Sequence, residues 1–569
     1  FFAGLVDSEN FKVNGGQGSD GQVLTSTGSG VAWEAAGGGV TFKQAGTNFT
    51  NSLMVGDDST GTLDAATGNT ALGIDVFAAL TSGDNNVVVG FESGNDLTTG
   101  SRNTALGANA LDKTTTPNDN TAIGFAAMTA NTTGAANVAV GKRALQTNTT
   151  ANDNTALGAS AMAANTEGAS NVAVGASSMG ANTTASNNTS VGYSSLAACT
   201  TGAGNTAVGA IALDAITTSA DNTAVGHQAL TNASSGAGNT AIGKATMTAV
   251  VTGSNNVAVG RYALSANTSA SNNVAVGINA LVTNTTGGNA TAVGGEALAA
   301  NTTGARNTAF GYQSSAANTT GYDNVSVGYG SLKTCTTGYN NAILGYDAQP
   351  LSTTGYNNTS IGRSAHLALT TGISCTAVGF SAGDKITSGS STTCIGAYAD
   401  TTSVSSTDAN AFGYNVQGET GYTTVGVNAD DIRAAHGNIT WATVSDVRVK
   451  KDIEDSTVGL SFINDLRPVT FNYKNKGDLP KEFRGYEEDS TEVYKSKKSQ
   501  HGFIAQEVKA AIDKHSNIKD GFSMWDDDDE NGQQRVGETA LVPVLVKALQ
   551  ELSTTVDELK SELLALKGE

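Results

Sequence analysis

The sequence predicts a mainly β fold, a long shaft of stacked 17-residue turns followed by an α+β region that closes on a helix. Three observations carry this. A glycine recurs every seventeen residues from Gly56 to Gly413, twenty-two in unbroken register. The residue before each of them is apolar, from Val55 and Leu72 to Ile395 and Phe412, and an Asn stands four places before it in seventeen of the twenty-two. After Val444 the charge density rises: residues 1–444 carry 13 basic and 26 acidic side chains, residues 445–569 carry 18 and 25. Self-similarity at a fixed period marks a repeat architecture in which each unit contacts only its neighbours. An overall composition of 39% apolar and 14% charged residues, with 69 glycines and 5 prolines, excludes ordinary multidomain packing, and the regular Ala, Val and Leu content excludes disorder.

Four segments follow in chain order. Residues 1–51 form an amino-terminal connector or attachment segment, residues 52–413 the repeat shaft, residues 414–444 a transition where the period breaks, and residues 445–569 the charged module. The shaft consensus is Asn-Thr-Ala-Val-Gly-x-x-Ala-Leu with a polar Thr/Asn/Gly loop. A unit of this length is too short for a helical hairpin, and its Asn-Thr-Ala-Val part alternates with period two. This predicts one short strand per turn, with a second near Ala-Leu. Turns stacked at the strand spacing of about 4.8 Å make a rod roughly 100 Å long. The aliphatic before each glycine is expected to line the interior, and the Ala beside it to leave a flat face that another chain could approach. The glycine suits a left-handed or crowded corner. The Asn column has two readings, a turn residue bonded to its own backbone or a continuous amide ladder.

Sparse residues add detail. Cys199 and Cys335 stand at equivalent positions eight periods apart, too far to bridge, while Cys375 and Cys394 replace a turn and a strand residue. Tyr312, Tyr329 and Tyr346 repeat at seventeen, and so do Tyr322, Tyr339 and Tyr356 in another frame. Stacked exposed rings offer a platform for sugar rings of a surface polysaccharide, or else they stiffen the rod.

In the module, Ser445 and Lys450 lie five apart with Asp446 beside the serine. A lysine held neutral by burial takes a proton from a serine hydroxyl and makes it a nucleophile; the alternative is a solvated basic strand end. Leu545, Leu549, Leu552, Val556, Leu559, Leu563 and Leu566 alternate gaps of four and three, which puts them on one coiled-coil seam, or on the inner face of a helix packed against its own domain. The run Asp526 to Glu530 reads as a cation site or a solvated loop.

The shaft resembles the head repeat of trimeric autotransporter adhesins, in which Asn-x-x-Ala-Ile-Gly segments build a left-handed parallel β-roll, and similar arrays in phage fibres. Here the period is longer than the usual adhesin repeat and the Asn stands one place nearer the glycine. The chain does not close on alternating aromatic strands like the adhesins' barrel anchor, so a bacterial trimeric surface adhesin ranks behind a phage reading. Three ordered motifs strengthen the latter. Ser445-Asp-Val-Arg-Val-Lys450, Leu466-Arg-Pro-Val-Thr-Phe-Asn-Tyr473 and His501-Gly-Phe-Ile-Ala-Gln-Glu-Val508 resemble the endosialidase-type intramolecular chaperone domain at the end of phage tail spikes and fibres. That resemblance implies a homotrimeric module that assembles a β-stranded shaft and releases itself by cutting Val444–Ser445. It makes Ser445 the nucleophile and Lys450 the general base of a single-turnover autoproteolysis, leaves His501 and Gln506 structural or functional, and supplies the number three. The segment from Gly18 to Trp33 is similar to connector segments in phage fibres.

The expected function is therefore a virion appendage, a tail fibre for host attachment, whose partners are two further copies, a host polysaccharide or protein receptor, and other tail proteins. The alternative is a polysaccharide-depolymerising tailspike, which needs two acids about 5–10 Å apart; Asp57-Asp58 is one isolated pair. A net charge of −20 disfavours nucleic acid, no apolar run reaches the length of a membrane span, and no cofactor or metal is expected. Phe1 in place of Met suggests a fragment or a processed chain.

Overall fold

The computed structural model describes residues 22–26, 31–35, 41–46, 48–56, 60–438, 441–443, 447–483, 485–518, 522–526 and 534–568. It divides into two compact units, Phe1–Val444 and Ser445–Glu569.

The first unit is a β-solenoid. Each turn contributes one strand of three residues, such as Thr104–Leu106, Thr121–Ile123 and Val138–Val140, and each strand pairs in parallel with the strands one turn before and after. The register advances by one repeat at every step, so Ala122 lies beside Ala105 and Ala139. The ladder runs from Phe49–Gly56 to Asn410–Tyr414. At its start Phe49–Gly56 pairs antiparallel with Thr41–Gly46; at its end Asn410–Tyr414 pairs in parallel with Tyr422–Val427, which turns back antiparallel on Asp430–Ala435. Antiparallel hairpins thus cover both ends of a parallel ladder whose open edges would otherwise invite pairing.

Two expectations are corrected. The aliphatic before each glycine does not line the interior. The Ala two places before the glycine is buried, as at Ala122, Ala139 and Ala156, whereas Leu106, Leu157 and Phe310 are 47%, 46% and 55% exposed. The reason is parity. Asn and Ala stand two apart and share the inner side of the strand, which leaves the outer side to Thr or Val and the aliphatic. Nor is there a second strand near Ala-Leu except in the last two turns, where Asp400–Thr401 pairs with Gln417–Gly418: elsewhere, as at Ala110 and Leu111, adjacent residues are both buried, which an alternating strand forbids, and the segment is a run of turns. Asn109 and Leu111 have φ of 58° and 55°, so alternate residues in the left-handed region wind the chain inward.

The Asn column is an amide ladder. Asn86 Oδ1 accepts from the backbone N–H of Asn103 at 2.9 Å and from its side-chain amide at 3.1 Å, while Asn86 Nδ2 donates to the Gly100 carbonyl at 3.0 Å. None of these Asn residues is left-handed; that conformation falls on the residue before, as at Asn85, Arg102 and Asp119. A second buried ladder, unforeseen in the sequence, joins Asn131, Asn148, Asn165 and Asn182 at 2.7–2.9 Å. The corner glycine is compulsory: Gly226 has φ of +135°, and a Cβ there would stand 2.6 Å from the Gly243 carbonyl oxygen. All four cysteines are free and buried. Cys375 occupies an Asn position, and its thiol donates to the Gly389 carbonyl at 3.2 Å as the Asn358 amide does to Gly372. Burial pushes the Cys199 and Cys335 thiols up to about 11.

The second unit holds helices α1 (Leu460–Asp465), α2 (Ala505–Lys514) and α3 (Leu541–Lys567) and two small antiparallel pairs, Val469–Phe471 with Gln500–Gly502 and Trp525–Asp526 with Arg535–Val536. Its core gathers Phe462, Val508, Ile512, Met524, Leu541 and Val544. In α3 the first turns face this core through Leu541, Val544 and Ala548. Leu545, Leu549, Leu552, Val556, Leu559, Leu563 and Leu566 are all exposed, so among the described residues of the module the heptad seam has no partner.

Candidate functional site

The second and third sequence motifs meet in the module. Pro468 follows α1 closely and prevents the helix from continuing, so the chain extends into Val469–Phe471. Pairing with Gln500–Gly502 sets Thr470 opposite His501, with Thr470 Oγ1 3.1 Å from His501 Nδ1. Two residues on, α2 begins, with Gln506 and Glu507 in its first turn. Glu507 suits the positive end of the helix dipole and accepts a two-pronged bond from Arg467: Nε donates to Oε2 at 2.9 Å, and Nη2 to Oε1. The Arg467 bond holds the Glu507 carboxyl below its usual range. At the far end of α2, His515 Nε2 and Lys514 Nζ reach Asp465 at 2.9 and 3.1 Å and depress that carboxyl, the histidine bond contributing most. The backbone N–H of Leu460, which opens α1, donates to Glu551 of α3 at 2.7 Å. Sequence reasoning missed these ties. Their only signal was that Arg467 and Glu507 lie inside the two motifs.

His501 and Gln506 share a groove of about 870 Å³ with Phe471, Tyr473, Tyr494 and Phe503. The aromatic rings meet edge to face, Tyr473 lying 5.4 Å from Phe471 and 6.0 Å from Tyr494, with Lys495 over both tyrosines. Val444 and Ser445 lie outside the described residues, as do Asp527 to Glu530 of the acidic run. Lys450 follows the 3-10 turn Val447–Val449, its backbone N–H donating to the Val447 carbonyl at 3.2 Å, and its side chain is exposed.

On the shaft, both tyrosine sets stack. Tyr322, Tyr339 and Tyr356 stand 5.0 and 4.7 Å apart with planes within 8°. Tyr312, Tyr329 and Tyr346 stand 5.6 and 5.2 Å apart. Arg306 covers Tyr322 and Arg363 covers Tyr346. Each inner ring has both faces against its neighbours, so it presents its edge to solvent. Acidic side chains draw near each other around Lys113, 3.3 Å from both Asp96 and Asp112, and near Lys385, 3.6 Å from Asp400. Asp57 and Asp58 lie outside the described residues. Among the described residues no cluster of three or more His, Cys, Asp or Glu could hold a metal ion, and no helix is long and apolar enough to cross a membrane.

Comparison with protein families places a match to the family "Chaperone of endosialidase" on residues 445–517, a span that includes all three motifs. No curated protein matches the chain.

Proposed function

We propose that the chain is a tail fibre of a phage, a structural appendage for host attachment whose carboxyl-terminal module drives homotrimer assembly and then cuts itself free before Ser445. One observation carries the reading. The match to the endosialidase chaperone begins at residue 445, the residue at which the second compact unit begins.

A shaft of near-identical turns needs such a helper. Slipping one chain past another by seventeen residues changes little in local contacts, so alignment has to come from elsewhere. A module that brings three chains together at one end raises the effective concentration of the first interchain contacts and sets their register. Cleavage then makes assembly irreversible. In this scheme the Ser445 hydroxyl oxygen attacks the Val444 carbonyl carbon. Lys450 takes the hydroxyl proton and passes it to the departing amide nitrogen, which leaves an ester between Val444 and Ser445 Oγ. Water hydrolyses that ester to a Val444 carboxylate and restores the hydroxyl. A lysine acts as a base only once it has shed its proton, and burial is what strips it. Lys450 is exposed in the single chain, so in this scheme the burial comes from the neighbouring copies and cleavage waits for assembly. The test is a denaturing gel. The natural chain is expected to run as two pieces, the smaller of about 125 residues, and Ser445→Ala as one; a Ser445→Ala sample split at the same place removes the nucleophile.

The tyrosine ladders supply the receptor contact in this reading, through a row of ring edges and hydroxyls at the spacing of the turns. Changing all six tyrosines to Phe keeps the stacking and removes the hydroxyls. Host-cell adsorption should fall, and adsorption at the natural level discards the ladders as the contact.

A further inference from the structure

In each turn only two side chains of the three-residue strand point outward, three places before the glycine and immediately before it. Neither position carries a charge in any of the twenty-two turns. The first is Thr, Val, Leu, Ala or Asn, and the second is Val, Leu, Ile or Phe. Charged residues stand on either side, as at Arg102 and Asp119 five places before the glycine and Lys142 and Lys244 one place after it. The result is a continuous charge-free ribbon two side chains wide, threonine or aliphatic in one column and aliphatic in the other. It is bordered by mostly polar residues five places before the glycine and, one place after it, by a column that mixes charges with exposed apolar residues such as Phe91, Phe125 and Ile278. Depletion of charge at the centre is a mark of protein interfaces.

Its size decides what it is for. At roughly 40 Å² for each half-exposed outward residue, some forty residues present on the order of 1,500 Å², against the few hundred Å² that monomeric proteins leave exposed and the roughly 800 Å² per partner of a standard interface. The strand N–H and C=O groups are already spent within the parallel ladder, so an occupant must match shape along about 100 Å at the rise of the turns rather than add hydrogen bonds. A second copy of the same chain has that rise, and in equal register it brings equal side chains to equal heights, Phe310 beside Phe310.

We propose that this charge-free ribbon, and not the alanine row, is the face through which copies of the chain pack along the shaft. The proposal rests on the homotrimer reading above and names the surface that reading left open. The test uses the full chain with Leu157→Cys on the ribbon and Thr150→Cys at an exposed loop position off it. The four natural cysteines are buried and stay out of the reaction. After treatment with a short bis-maleimide, Leu157→Cys is expected to run as a linked pair on a denaturing gel and Thr150→Cys as single chains. If sedimentation gives the mass of three chains and Leu157→Cys does not link, or Thr150→Cys links instead, the ribbon is overturned while the trimer stands. If the natural chain sediments as one copy, the trimer reading falls and takes the ribbon with it.

Discussion

Asn222 shows what one repeat position contributes. Its Oδ1 accepts from the backbone N–H of Asn239 at 3.0 Å and from the Asn239 side chain at 3.2 Å, and its own N–H donates to Asn205 at 3.0 Å. Replacing it with Leu leaves the Asn239 N–H without a partner in a dry interior, at a cost of about 2 kcal/mol. Hydrogen exchange at Asn239 should accelerate roughly thirtyfold; an unchanged rate would mean that the ladder carries no stability. The protein performs related substitutions itself at Ala290 and Cys375, whose N–H groups still donate to Asn273 at 2.8 Å and to Asn358 at 2.9 Å; the amide ladder is interrupted at the first and stops at the second, because Thr392 and Ala409 follow in the same column. The spacing of these asparagines was plain in the sequence. Their role was not, because the left-handed turn that favours Asn falls on the preceding residue, and which of two neighbours takes it depends on the turn stacked above.

Among the elements, the short strand Asp400–Thr401 sits where the solenoid gives way to its closing hairpin and pairs with Gln417–Gly418. Burial raises the Asp400 carboxyl to about 6, with the neighbouring Asp384 pushing the same way, against the weaker pulls of the Thr401 N–H bond and of Lys385. Its folded pKa lies above the unfolded value near 4, so its stabilising contribution is complete below that value and is lost as pH rises through 6. Asp400→Asn should therefore raise the melting temperature at pH 7.5 and leave it unchanged at pH 3.5; equal shifts at both would point to packing instead. In the module, α3 divides its labour. Leu541, Val544 and Ala548 hold the domain, and the seam from Leu545 to Leu566 lies bare. The double change Leu552→Asp and Leu559→Asp should leave the module's near-ultraviolet circular dichroism intact and lower its sedimentation mass to one chain. Retention of the higher mass would assign association to another surface. The heptad spacing predicted the seam, and its exposure sets aside, for these residues, the alternative of a helix packed on its own domain.

For the whole molecule, the proposed division of labour makes the shaft dependent on the module for alignment. A chain ending at Val444 should be recovered as aggregate or as single copies, and a normal yield of well-folded trimers from it would contradict the chaperone role. Cleavage should also follow assembly in time, since Lys450 has no burial of its own. A chain kept in one copy by the seam substitutions should stay uncut. By itself the sequence determined the period, the number of turns, the place where composition changes and the motifs of the module, because each is a matter of spacing or residue type along the chain. The tertiary structure alone decided which side of the strand faces inward, that a second amide ladder exists, that Arg467 grips Glu507, and that the charge-free positions of the shaft form one outward ribbon. Those are contacts between residues a full turn or more apart, and the direction of a side chain is settled only when the neighbouring turn closes over it.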